Sequence, residues 1–140
     1  MISYHSEHSE FELKDKRKYS KWLKQIAQKE GFEVAELNYI FLTDEGLYEI
    51  NMEYLNHDTY TDIITFDNSD ESGVIEGDIF ISVDRVKENA DGFKTSFENE
   101  LRRVMAHGLL HLLGYKDKSD NDEKQMREME EKSLEMWPVV

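Results

Sequence analysis

The chain has 140 residues, no cysteine, 17 basic against 31 acidic side chains and a formal net charge of −14. That length suits one domain with a single buried core, and the lack of cysteine excludes disulfides, thiolate nucleophiles and cysteine-based structural zinc, so metal or catalytic chemistry must use His, Asp and Glu. A field of this sign opposes nonspecific attachment to nucleic acid or anionic membrane; no apolar run approaches the roughly eighteen residues of a membrane span, and Met1-Ile-Ser-Tyr-His-Ser-Glu-His lacks the basic and apolar segments of a secretory signal, so a cytoplasmic location is expected.

From Lys14 to Lys29 the apolar residues Tyr19, Trp22, Leu23 and Ile26 recur at i, i+3, i+4 and i+7, the pattern of an amphipathic helix with lysines on its wet side and Gly31 at its end. Residues 14–24 hold six basic side chains and one acid, Asp15, which makes +5 there and −19 over the rest of the chain. A solvated helix face and a phosphate-contacting face are both open readings of such a run. Leu37 to Leu42 reads as a buried strand, and Thr43-Asp-Glu-Gly46 can cap a second helix from about Glu45 to Leu55.

Thr61 to Phe66 and Asp78 to Ser82 are two further strand-like runs, separated by the turn formers Asn68-Ser-Asp-Glu-Ser-Gly73 and able to pair as neighbours. Ser82 precedes a short helical stretch. Thr95 with Glu98 fits a capping box opening a long helix that carries Phe97, Leu101, Val104, Met105 and Leu112, with Gly114 as its stop. A last helix, roughly Asp120 to Met136, places Met126, Met129, Ser133 and Met136 or Trp137 on one side, as core packing. With no repeat or linker, the expected architecture is α+β: one small mixed sheet of three to four strands covered by four or five helices.

His107-Gly-Leu-Leu-His111 sets two imidazoles four residues apart, which on a helix brings them to one face within reach of one metal ion. The flanking residues are apolar nearly all round, so each ring needs either hydrogen bonds, as a satisfied core histidine has, or a metal. Gly114 lets the chain leave the helix with positive φ and turn back, carrying Asp117 towards His111 as a third ligand. Two His and one Asp with open positions form a catalytic rather than a structural zinc set, in which a bound water is polarised for hydrolysis. The same two-His-one-carboxylate set also serves non-haem iron oxygenases.

His107-Gly-Leu-Leu-His-Leu-Leu-Gly-Tyr-Lys-Asp117 resembles the H-G-x-L-H-L-x-G-Y-D-H signature of the YbeY family of metal-dependent endoribonucleases, and Asn51-Met-Glu-Tyr-Leu-Asn56, Thr61-Asp-Ile-Ile-Thr-Phe66 and Gly77-Asp-Ile-Phe-Ile-Ser82 are similar to other segments of that family in the same order. The resemblance implies that residues 1–140 are one metallohydrolase domain. It further implies cleavage of single-stranded RNA in ribosomal RNA processing, especially at the 3′ end of small-subunit RNA, and in ribosome quality control. The implied cofactor is one divalent ion, zinc being expected, and the implied partners are RNA and the ribosome, with no DNA and no membrane.

Two departures from the family pattern stand out. Its third histidine falls at Asp117, an anionic ligand that lowers the Lewis acidity of zinc and favours manganese or iron more than a third imidazole would. Its arginine falls at Leu55, for which His57, two residues on, is a candidate replacement in a catalytic polar role, alongside a plain surface histidine. The Glu that follows the first His in zinc metalloproteases is Gly108 here, which disfavours a peptidase. Glu76, Asp78 and Asp62 are weaker candidates for proton transfer. Lys18, Lys21 and Arg103, with Arg85, Lys87 and Arg102, are candidate phosphate contacts. A noncatalytic ribosome-assembly factor that keeps a metal is the alternative, motivated by Leu55 and the acidic surface.

Overall fold

The computed structural model describes residues 1–57 and 59–138. In chain order the elements are β1 (Ile2–Ser6), α1 (Lys16–Lys29), β2 (Glu33–Leu42), α2 (Asp44–Leu55), β3 (Ile63–Asp67), β4 (Val74–Ser82), α3 (Val83–Gly92), α4 (Phe97–Leu112) and α5 (Asp120–Glu135). The sheet order is β1-β2-β4-β3. β1 and β4 both run parallel to β2, whereas β3 is antiparallel to β4, so the sheet is mixed and five helices cover it.

Alternation along the strands divides the interior into two layers, because successive side chains of a strand point to opposite faces. Leu37, Tyr39 and Phe41 of β2 and Ile75, Ile79 and Ile81 of β4 join Trp22, Leu23, Leu101, Met105 and Leu109 in the main core under α1, α3, α4 and α5. Leu42 and Ile64, with the partly buried Ile40, Phe66 and Phe80, form a smaller layer against Leu47 of α2. Two buried polar handles register the helices on this core: Tyr39 Oη donates to the Met105 carbonyl at 2.8 Å, and Trp22 Nε1 donates to the Ser133 carbonyl at 2.8 Å. Both are apolar bodies with a donor that must find an acceptor when buried.

The expected architecture is the observed one, with local differences. β1 has no counterpart in the sequence reading, since Ile-Ser-Tyr-His-Ser is short and polar, and it is an edge strand held by backbone pairing to residues 37–41 of β2. β2 starts at Glu33 and β4 at Val74, earlier than the apolar runs do, because Glu33 and Val34 pair with Val74 and Ile75 ahead of a register shift at Val34–Glu36. Ser96, not Thr95, caps α4, its Oγ accepting from Asn99 N at 3.1 Å, while Thr95 accepts from the Asn99 side chain. The final helix is opened by a capping box of Ser119 and Asp122.

α4 lies close on the sheet because residue 108 has no side chain. A Cβ there would stand 2.9 Å from both Cδ1 and Cγ2 of Ile79 and 3.0 Å from Cδ1 of Ile63. Gly108 sits between the two histidines, so it sets how near both rings come to β3. Gly108→Ala is expected to destabilise the fold by about 1–3 kcal/mol, the usual cost of overpacking, read as a lower urea midpoint with an unchanged m-value.

Candidate metal centre

His107 and His111 project from consecutive turns of α4, their rings edge-to-face with centroids 4.6 Å apart. The helix then ends in a Schellman motif: Gly114 N donates to the His111 carbonyl at 3.0 Å and Tyr115 N to the Leu110 carbonyl at 3.0 Å, with Gly114 at φ 106°. Tyr115 is held from the other side by a hydrogen bond from its hydroxyl to Glu30 at the end of α1. The chain so directed brings Asp117 back over the last turn of α4.

His107 Nε2 and His111 Nε2 stand 3.1 Å apart, and Asp117 Oδ2 lies 3.4 Å from the first and 3.3 Å from the second. A tetrahedral ion with bonds of about 2.0–2.1 Å separates its ligand atoms by roughly 3.3–3.4 Å, so this triangle has the size of one face of such a coordination sphere. The three side chains form a cluster able to hold a divalent ion.

The protonation state suits that use. His107 Nδ1 donates to Glu130 Oε2 at 2.5 Å, and Glu130 Oε1 accepts from Arg103 Nη1 at 3.0 Å. Arg103 in turn donates through Nε and Nη2 to both oxygens of Glu100, at 2.9 and 2.6 Å. Burial pushes the Glu130 carboxyl up, but the bond from His107 and the nearby Arg103 guanidinium outweigh it and hold the group below its ordinary value. With its proton committed at Nδ1, the His107 ring turns a bare Nε2 lone pair towards His111 and Asp117. Glu100 is 1% exposed and Glu130 5%, and each has charged partners, as buried carboxylates require.

The cluster opens onto a cleft of about 550 Å³ along the free edge of β3, lined also by Asn51, Leu55, His57, Thr59, Thr61 and Asp62. Leu55, where the family pattern has arginine, faces this cleft. His57 does too; its loop is pinned by His57 N donating to the Asn51 carbonyl at 3.1 Å and by Asn51 Nδ2 donating to the Thr59 carbonyl at 2.8 Å. Burial raises the Asp62 carboxyl above its ordinary range, and Asn89 donates to it at 3.4 Å. Asp67, farther along, is occupied by the turn it caps, accepting from Ser69 N and Oγ.

The remaining candidates lie elsewhere. Glu76 and Asp78 are absent from the described cleft lining, and Asp78 accepts from Asn38 and Asn68 on the sheet. Lys18 stands 5.0 Å and Arg102 4.8 Å from the centre of the Trp137 ring. Arg85 pairs with Asp44 at 2.8 Å. Arg103 is engaged by two carboxylates behind His107, and Lys21 lines a groove between β1 and α1. The residues that sequence reasoning missed are Glu130 and Glu100. Glu130 carried a signal: Met126, Glu130 and Ser133 are spaced as one buried stripe, and a carboxylate within such a stripe needs a partner.

Two outcomes follow for metal binding. His111→Ala and Asp117→Ala should each lose most bound metal by elemental analysis, and retention in both would exclude this coordination. Glu130→Gln, which adds no volume and leaves all three donors in place, should weaken metal affinity by about 10–100-fold in a chelator-competition titration.

The fold and the cluster can be set beside known proteins. Residues 1–138 match the family model described as Endoribonuclease YbeY. The chain is 50% identical over 135 residues to an Endoribonuclease YbeY of Cytophaga hutchinsonii, covering 96% of this chain and 94% of the relative. It is 51% identical over 141 residues to one of Flavobacterium psychrophilum, covering 99% and 98%. The solution structure of TM1509 from Thermotoga maritima superposes with a TM-score of 0.68 at 32% identity, covering 96% of this chain and 87% of that one. With its signature histidines, the aspartate in third place and the sheet behind them all accounted for, the chain belongs to the YbeY endoribonuclease family.

Proposed function

We propose that this chain is a metal-dependent endoribonuclease that cuts single-stranded RNA during ribosomal RNA maturation, including the 3′ end of small-subunit RNA, and in ribosome quality control. One observation carries the reading: three donor atoms, spaced for a single ion, open onto a cleft of about 550 Å³ rather than closing around the ion. Zinc is the ion we assign to it, and the whole chain acts as one domain. The relatives' name supplies the substrate class.

His107, His111 and Asp117 would hold the ion, which when bound supplies a Lewis acid for a phosphate oxygen and lowers the pKa of a nucleophilic hydroxyl. The chain's own part is to orient and to move protons. Glu130 keeps the His107 proton on Nδ1, and Arg103 keeps Glu130 ionised. Outside the donor triad, His57 and Asp62 are the described cleft-lining groups free to exchange a proton, Asp67 being held by its turn. We assign His57 to proton transfer. Its backbone N–H is anchored on the Asn51 carbonyl, and its side chain lines the cleft.

No helix among the described residues is long and apolar enough to cross a membrane, and the cytoplasm, where ribosomes are made, is the location this function requires. A noncatalytic assembly factor is favoured by one specific observation, that the described cleft lining contains neither lysine nor arginine.

The deciding measurement is cleavage of a single-stranded RNA and of its duplex by the zinc-loaded protein. Cuts in the single strand that disappear in Asp117→Ala are expected; a metal-loaded protein that never cuts, alone or with ribosomal subunits, would establish the assembly factor. His57→Gln should lower kcat by about 10²–10⁴-fold, flatten the pH–rate profile and leave bound metal unchanged.

A further inference from the structure

The two edges of the sheet carry opposite charge. At the β3 edge, the described lining of the cleft holds the carboxylates of Asp62, Asp67 and Asp117 and no Lys or Arg. At the β1 edge, a groove of about 650 Å³ runs between the strand and α1, lined by Ile2, Ser3, Tyr4, Lys16, Arg17, Ser20, Lys21 and Lys24; its lining holds four cations, of which Lys16 stands 3.9 Å from the exposed Glu12 just outside it. Its floor is fixed: Tyr4 Oη and Ser20 Oγ are hydrogen-bonded at 3.0 Å, and the Tyr4 ring stacks on Tyr39 with centroids 5.8 Å apart. β1 also leaves its outer backbone groups unpaired by the sheet. Met1 O accepts from Leu37 N and Glu7 N donates to Phe41 O, so the odd residues face β2, and the N–H groups of Ile2 and Tyr4 turn outward along with their carbonyls.

We propose that this groove is an anchoring site for the phosphate backbone of RNA, separate from the cleft where cutting occurs. The proposal rests on the nuclease reading for its substrate and adds where that substrate is gripped. In a cleft whose charged side chains are carboxylates the bound ion is the one strong partner for phosphate, so on a chain of net charge −14 attachment beyond the scissile position calls for a concentrated cationic surface. Cationic side chains on one wall and outward backbone N–H groups on the other are the donors that position a sugar–phosphate chain without reading its sequence. The groove and the cleft lie at opposite ends of the strand order β1-β2-β4-β3, so only an RNA long enough to wrap the sheet engages both. Anchoring therefore favours long or structured RNA over short fragments.

The test uses full-length, zinc-loaded protein and Arg17→Glu/Lys24→Glu, with Arg17→Gln/Lys24→Gln as the milder pair. Circular dichroism and thermal melting of both establish that the fold is retained. Binding of a 30-nucleotide RNA carrying 2′-O-methyl phosphorothioate linkages is followed by fluorescence anisotropy from 50 to 300 mM salt. The expected result for the Glu pair is at least tenfold weaker binding at low salt. Its log–log salt slope should be shallower by about 1.4, two phosphate contacts at about 0.7 each for a single strand, with the Gln pair in between.

Cleavage of a dinucleotide, too short to reach from one sheet edge to the other, should be unchanged while KM for a long RNA rises at least fivefold. Unchanged affinity and slope overturn the proposal, as does an equal loss on short and long RNA, or displacement of RNA by polyglutamate at equal charge concentration in the parent but not in the Glu pair, which marks the groove as a site for acidic polypeptide. A wild-type protein that binds RNA through the groove yet cuts nothing overturns the nuclease reading and leaves the anchor standing.

Discussion

The hydrogen bond between His107 and Glu130 is the constraint on which the site depends. A histidine serves as a metal ligand only through a nitrogen that has no proton, and an imidazole left alone distributes its proton between two positions. Glu130 removes that freedom from behind. It is kept ionised by Arg103, which is in turn steadied by Glu100, so three side chains that never reach the cleft decide what the fourth presents to it. The arrangement also joins α4 to α5. The last helix contributes no donor to the triad, yet it carries the group that makes one of the three usable.

Two glycines complete the geometry in different ways. Gly108 lets α4 approach Ile79 and Ile63, which brings the metal-facing turn against β3 and makes the strand's free edge a wall of the cleft. Gly114 closes the helix so that the chain reverses over it, and Tyr115 is tethered to Glu30 before Asp117 is reached. The third donor is thus placed by backbone hydrogen bonds and a side-chain anchor, not by the ion it is to meet. A site assembled in advance loses little conformational freedom on binding, which favours affinity.

What could be read from the sequence was what is local. The four-residue spacing of the histidines, the helix stop at Gly114, the apolar periodicity of α1, the cap at Thr43 and the short helix after Ser82 all depend on neighbours within one or two turns, and the structure shows each. What escaped depends on residues remote in the chain. β1 is a strand because β2 offers it backbone partners 35 residues on, not because Ile-Ser-Tyr-His-Ser prefers extension. Glu130 reaches His107 across 23 residues, and the stripe legible in the sequence, Met126, Met129 and Ser133, does not include it. Arg103 is a candidate phosphate contact in the sequence because its pairing with Glu100, three residues earlier, leaves donors over, and nothing local announces that Glu130 on another helix takes them.

The opposed charge of the two sheet edges has a consequence for encounter. Four strands at about 4.8 Å spacing set the edges roughly 14 Å apart, so the cationic groove and the acidic cleft are held at a fixed separation across the sheet. In the field of a polyanion such a body experiences a torque that turns its cationic end inward and its acidic end away. At physiological ionic strength the screening length is about 8 Å, shorter than that separation, so the torque is felt only over the last few ångströms of approach. Alignment is then a property of near contact rather than of distant steering, and it grows in reach as salt is withdrawn.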